Sequence, residues 1–122
     1  FAIPVAVFDI SAIDDHIEVR HAIGDERYLS FAGEIEQPDP GEVIFADANA
    51  NVHARRWTHR QSGASAVRAR TSEVLIVTEA MHDTAAADIP ALLESLAGRI
   101  SEIWQVEPQI AMPSVTAPRF TF

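Results

Sequence analysis

Cysteine and lysine are both absent from this chain of 122 residues. Without a thiol there is no disulfide framework, no thiolate metal site and no cysteine nucleophile. No apolar run approaches the roughly 20 residues that span a bilayer, and the N-terminus lacks the charged, apolar and small-residue zones of a signal peptide. A phosphate-cradling glycine loop, a dinucleotide fingerprint and a metal-ligand motif are missing as well. No cofactor, metal or membrane contact is therefore expected, and the expected compartment is the cytoplasm. Internal repeats and low-complexity tracts are also absent.

What is present is unevenly charged. All nine cations are arginine, against eighteen Asp and Glu, for a formal net charge of −9. A field of that sign repels polyanions, so contact with nucleic acid has to be local. Five of the arginines, Arg55, Arg56, Arg60, Arg68 and Arg70, fall between Ala48 and Ser72, a stretch without Asp or Glu. Its centre reads Arg55-Arg56-Trp57-Thr58-His59-Arg60-Gln61. Guanidinium forks, a large aromatic and hydrogen-bonding side chains suit phosphate contact and ring stacking.

An apolar content of 48% supplies one compact core, so residues 1–122 are expected to form a single domain. The chain opens on Phe1 rather than Met, and the expectation is a partial chain, completed by an N-terminal segment or a partner chain. Phe1 to Asp9 reads as a strand, His16 to Arg20 as a half-buried one and Arg27 to Phe31 as a third. Gln37-Pro38-Asp39-Pro40-Gly41 is a turn. Val43 to Ala46 and Val52 to Trp57 make a hairpin whose second arm carries the arginine-tryptophan motif, and Gln61 to Ala66 reads as a flexible loop. Val74 to Val77, the most β-branched run, is the expected central strand. Leu92, Leu93, Leu96, Ile100, Ile103 and Trp104 recur at helical spacing, which predicts a helix from Asp88, as its cap, to Trp104, lying on the sheet with Pro90 in its first turn. Residues 105–122 form a proline-interrupted tail.

Each candidate residue carries an ordinary reading beside the functional one. Arg55, Arg56 and Arg60 are phosphate ligands or a solvated strand face. Trp57 is a stacking platform or a core residue. Glu79 is a general base or a strand-end charge paired with an arginine. His59 is an acid, base or phosphate donor, although it has no carboxylate beside it in sequence. His16, His21, His53 and His82 lack ligand spacing and read as solvated. Ser62 and Thr71 offer hydroxyls to a ligand, as Gln61 offers its amide, without a nucleophile motif around them.

Several segments, taken in order, carry a resemblance. Ile3-Pro4-Val5-Ala6-Val7-Phe8-Asp9 is followed by Ile17-Glu18-Val19-Arg20-His21-Ala22-Ile23-Gly24-Asp25-Glu26. Pro40 to Asp47, Arg55-Arg56-Trp57 to Gln61, and Thr71 to Val77 complete the set. From about Pro4 to Met81 the chain resembles the B3/B4 domain, the module that serves the bacterial phenylalanyl-tRNA synthetase β-subunit as its tRNA-editing domain and also occurs free-standing. The resemblance implies an α+β fold, a mostly antiparallel sheet or sandwich with one amphipathic helix packed on it. It also implies a pocket for the aminoacyl end of a tRNA. Position by position, the synthetase's strand histidine falls on Ala6 and its pocket alanine on Trp57. Its glutamate falls on Val77, with Glu79 two residues on.

Two functions follow. In one, the protein binds tRNA and hydrolyses a wrongly formed aminoacyl ester without metal or covalent intermediate. Arg55, Arg56 and Arg60 then meet phosphates, Trp57 stacks, Gln61 and Ser62 contact the substrate, and Glu79 with His59 or Thr71 positions a water. In the other, the protein is an inactive homologue that binds a small amino-acid-like or nucleotide-like anion, or docks a protein partner on its arginine face.

Overall fold

The structure, a computed structural model, describes residues 3–122; Phe1 and Ala2, which belong to the expected first strand, lie outside them. The chain is α+β and divides into two compact units, Phe1–Ala80 and Met81–Phe122.

The first unit carries all the strands: β1 (Val5–Asp9), β2 (Ile17–His21), β3 (Arg27–Leu29), β4 (Ile35–Glu36), β5 (Val43–Asp47), β6 (Asn51–Arg55), β7 (Arg60–Gln61) and β8 (Val74–Thr78). Six of them form a sheet in the order β2-β5-β6-β3-β4, with β7 also paired to β6. β1 and β8 form a separate two-stranded ribbon. Every pair is antiparallel except β3 with β6.

The expected central strand is corrected here. Val74–Thr78 lies in the ribbon and is only half-buried, whereas four residues of β5 and four of β6 are buried. β5 and β6 are covered on both faces, because successive side chains along a strand point opposite ways. Phe45 and Ala54 pack with Ala6 and Phe8 of the ribbon, and Phe8 meets Phe45 with ring centroids 6.0 Å apart. Ile44, Ala46 and Val52 pack with Ala22 and Tyr28. Truncating a ring such as Phe8 to alanine removes roughly 3–5 kcal/mol of stability.

A bulge makes this two-sided core fit. Phe45 pairs with Ala54 but Ala46 pairs with Val52, so His53 is an extra residue in β6. The extra residue reverses the alternation and brings Val52 and Ala54 to different faces. It also aims the His53 ring inward. Nε2 lies 2.9 Å from Asp47 Oδ2, and Nδ1 lies 2.9 Å from Ser65 Oγ. His53 is wholly buried, a correction to its solvated reading.

The segment Gln61 to Ala66 is the other correction, being a locked corner rather than a flexible loop. Ser62, Gly63 and Ser65 are buried. The Ser62 hydroxyl donates to Leu29 O at 2.9 Å, and its N–H to His53 O at 2.9 Å. Gly63 suits this close approach, since a Cβ there would sit 3.0 Å from Ser30 O and the backbone would have to give way slightly.

The second unit is built on α1 (Ala85–Trp104), which starts three residues before the expected cap. Asp88 lies inside the first turn, where its carboxylate faces the positive end of the helix dipole. It accepts from the Thr84 hydroxyl at 2.7 Å and lies 2.7 Å from His82 Nε2; these two partners hold its carboxyl below the usual range. Gln105 ends the helix in a left-handed conformation.

Candidate nucleic-acid interface

β6 and β7 are joined by residues 56–59, since Arg55 pairs with Arg60. Arg56 and Trp57 are both left-handed, with φ of 51° and 59°. Each such non-glycine residue costs about 1–3 kcal/mol and persists only where neighbours enforce it. Here the Trp57 N–H donates to Val43 O at 3.1 Å, and the His59 N–H to Arg56 O at 3.2 Å. The Thr58 N–H and Oγ1 both donate to Glu79 Oε1, each at 2.8 Å. Thr58 is buried, while the Arg56 side chain is 59% exposed and Trp57 is 42% exposed. The strain thus displays one guanidinium and one indole to solvent.

Arg55 faces the other way. Glu42 grips it bidentately, accepting from Nε and Nη2 at 2.8 Å each, and Glu36 accepts from Nη1 at 2.8 Å. The Arg55 fork holds the Glu42 carboxyl below its usual range, and Glu42 raises the guanidinium in return. Glu36 also accepts from Arg60 Nη1 at 3.3 Å. Both guanidiniums lie against the Tyr28 ring, Arg55 at 5.4 Å and Arg60 at 5.2 Å from its centroid. A stretch free of acids in sequence is therefore met in space by Glu36, Glu42 and Glu79. Of the three arginines singled out, Arg56 and Arg60 reach solvent and Arg55 is buried.

Two of the expected catalytic residues, Glu79 and Thr71, stand apart. Val5 pairs with Thr78 and Asp9 with Val74, so Glu79 lies at one end of the ribbon. Thr71 lies at the other, donating to Asp9 Oδ2 at 2.8 Å. The four steps from Val5 to Asp9 span roughly 13 Å at about 3.3 Å each. His59 is exposed, and its ring hydrogen-bonds to neither. Gln61 Oε1 accepts from the Val7 N–H at 3.3 Å, which ties the turn to β1, and Ser62 is enclosed. Among the positions that the resemblance marks, Ala6 and Val77 face each other across the ribbon, Ala6 wholly buried and Val77 packed against its cluster.

Sequence reasoning missed Glu36, Glu42 and Tyr28 as the setting of Arg55. It also missed the buried chain Asp47, His53 and Ser65. Burial pushes the Asp47 carboxyl up, but hydrogen bonds from His53 and from the backbone of Asp14, Asn51 and Asn49 outweigh it and bring it to about 2. Among the described residues no cluster of three or more His, Asp and Glu is arranged to hold a metal ion. No helix among them is long and apolar enough to cross a membrane.

A two-stranded ribbon packed on a bulged, mostly antiparallel sheet, with a strained basic-aromatic turn at its margin, defines a small α+β module. The chain belongs to the B3/4 domain family, whose model matches residues 1–93. A comparison with curated proteins gives no match.

Proposed function

We propose that the protein is a B3/4 module that holds the single-stranded end of a tRNA on the turn between β6 and β7, without hydrolysing it. The observation that carries this reading is the pair Arg56-Trp57, strained and exposed together. A base stacks on the indole, and Arg56 and Arg60 meet the flanking phosphates. The choice of tRNA rests on the family resemblance. Hydrolysis is left out because Glu79 is committed to Thr58, and Thr71 to Asp9.

The test is tRNA binding at low and moderate salt by the intact protein and by an Arg56→Ala/Arg60→Ala variant, with deacylation of a panel of mischarged tRNAs measured alongside. Salt-sensitive binding that the variant loses, without deacylation, is the expected result. Absence of binding, or binding that the variant keeps, overturns the reading. Deacylation that stops on Glu79→Gln restores the editing reading in its place.

A further inference from the structure

The chain from Thr58 to Thr71 is tied to the β1–β8 ribbon at three points. At the Val5 end, Thr58 is bonded to Glu79, which follows Thr78, the partner of Val5. Midway, the Gln61 side chain accepts from the Val7 N–H at 3.3 Å. At the far end the Thr71 hydroxyl donates to Asp9 Oδ2 at 2.8 Å. The three ties carry the segment along β1, over the roughly 13 Å that its four steps span.

The far end holds a second pair of arginines. Arg68, Ala69 and Arg70 are exposed, in a turn that Thr71 closes. The Arg68 N–H donates to Thr71 Oγ1 at 2.9 Å, and the Thr71 N–H to Arg68 O at 3.0 Å. Since the same Thr71 hydroxyl is fixed on Asp9, the turn is held to the ribbon. Arg68 Nη2 donates to Gly63 O at 2.8 Å, and neither Arg68 nor Arg70 forms an ion pair among the described residues. Arg55, Arg56 and Arg60, by contrast, each pair with Glu36 or Glu42. No Asp or Glu lies in sequence between the two ends. In a protein of −9, this is the stretch along which a polyanion meets least repulsion.

We propose that the RNA contact runs from the Arg56-Trp57 turn along this segment to a second anchor at Arg68 and Arg70. The inference rests on the reading of the turn as an RNA contact, and it adds the second anchor and the length of the ligand. A strand that rises about 3.4 Å per nucleotide crosses the interval in about four steps, so the site holds a single strand of about five nucleotides. One base stacks on Trp57, and the phosphates at the other end meet Arg68 and Arg70.

The test is fluorescence anisotropy of the full chain with labelled single-stranded oligoribonucleotides of increasing length. Affinity is expected to rise with length up to about five nucleotides and then level off. Arg68→Gln/Arg70→Gln is expected to weaken the long oligonucleotide about tenfold and to lower its salt slope by about 0.7 for each guanidinium removed, while the shortest oligonucleotide that binds is unaffected. Arg70→Gln alone, which gives up no hydrogen bond, should show about half of that change in slope and so separates lost contact from a loosened corner. A length dependence that ends at the shortest oligonucleotide, or wild-type affinity and slope in Arg70→Gln, overturns the second anchor and leaves the turn reading standing. A polyglutamate of equal charge that displaces the RNA as well as RNA itself does overturns the choice of ligand. If no oligonucleotide binds, or if Arg56→Ala/Arg60→Ala binds every length normally, both readings fall together.

Discussion

One oxygen of Glu79 receives both the backbone N–H and the hydroxyl of Thr58, each at 2.8 Å. Glu79 is thereby a positioning residue for the Arg56-Trp57 turn. Glutamine at this position keeps an oxygen acceptor and alanine does not. Glu79→Gln is expected to keep tRNA affinity within about threefold, whereas Glu79→Ala loses about tenfold and destabilises by about 1–3 kcal/mol. Filter binding and chemical denaturation of the two variants read this directly. Equal losses in both would instead assign Glu79 a role that needs its charge.

Arg56 stands at φ 51°, a conformation that glycine adopts freely. Arg56→Gly is expected to leave stability unchanged or raise it by up to about 1 kcal/mol, because relief of strain offsets the greater chain entropy of glycine. The same variant is expected to bind tRNA less tightly, with the slope of log affinity against log salt reduced by about 1. A clear fall in melting temperature would show that the Arg56 side chain holds the fold.

Arg55 is the arginine whose loss should harm folding most. Removing it takes the bidentate partner from the half-buried Glu42, which keeps only the Asp39 N–H at 2.9 Å and Arg56 at 4.0 Å, at a cost of about 3 kcal/mol. Arg55→Lys is expected to recover only part of this, since an ammonium cannot reproduce the two parallel bonds. Urea denaturation of the two variants is the check, and a loss below about 1 kcal/mol would contradict the packing described for Tyr28 and Glu42.

Acid should unfold the protein through two carboxyls. Burial pushes Glu26 up, but the Ile23 N–H, Arg20 at 2.6 Å and the Gly24 N–H outweigh it and lower it from 4.5 to about 2. Asp47 falls from 3.8 to about 2. Both bind protons more weakly folded than unfolded, so their contribution is complete above about pH 5 and declines as pH falls through the folded values. Each contributes on the order of 2–4 kcal/mol. The urea midpoint should therefore be flat on their account between about pH 7 and 5, then fall steeply towards pH 3. Glu26→Gln and Asp47→Asn should each flatten that fall.

Much of the fold was legible because strands announce themselves locally. Turn residues at 37–41 and 47–51 bracket β5, and the helical spacing from Leu92 to Ile100 marks α1. The composition of β8 misled, since a β-branched run also suits a strand with one half-covered face. His53 was illegible because a bulge breaks the alternation from which burial is read, and no single residue type signals a bulge. For the candidate site, Arg55-Arg56-Trp57 pointed to the right turn, but neighbours in sequence separated in space. Arg55 ends a strand and turns inward, and Arg56 begins a strained turn and faces out. The acids that neutralise Arg55 lie at Glu36 and Glu42, beyond the reach of any local pattern. Thr71 and Glu79 looked close in sequence, yet β8 between them carries them to opposite ends of the ribbon.

The corner at residues 61–66 has a practical consequence for anyone altering this protein. Its string of small polar residues is the kind of place where a tag, a cleavage site or new chain ends would be introduced. Ser62 and Ser65 are instead tied to Leu29 and His53, so a cut or insertion there would unlock β3, β6 and β7 at once. The β3–β4 hairpin is the better host. Gly33 has open space around it and a φ of 86°, and its exposed neighbours can lengthen without touching the core.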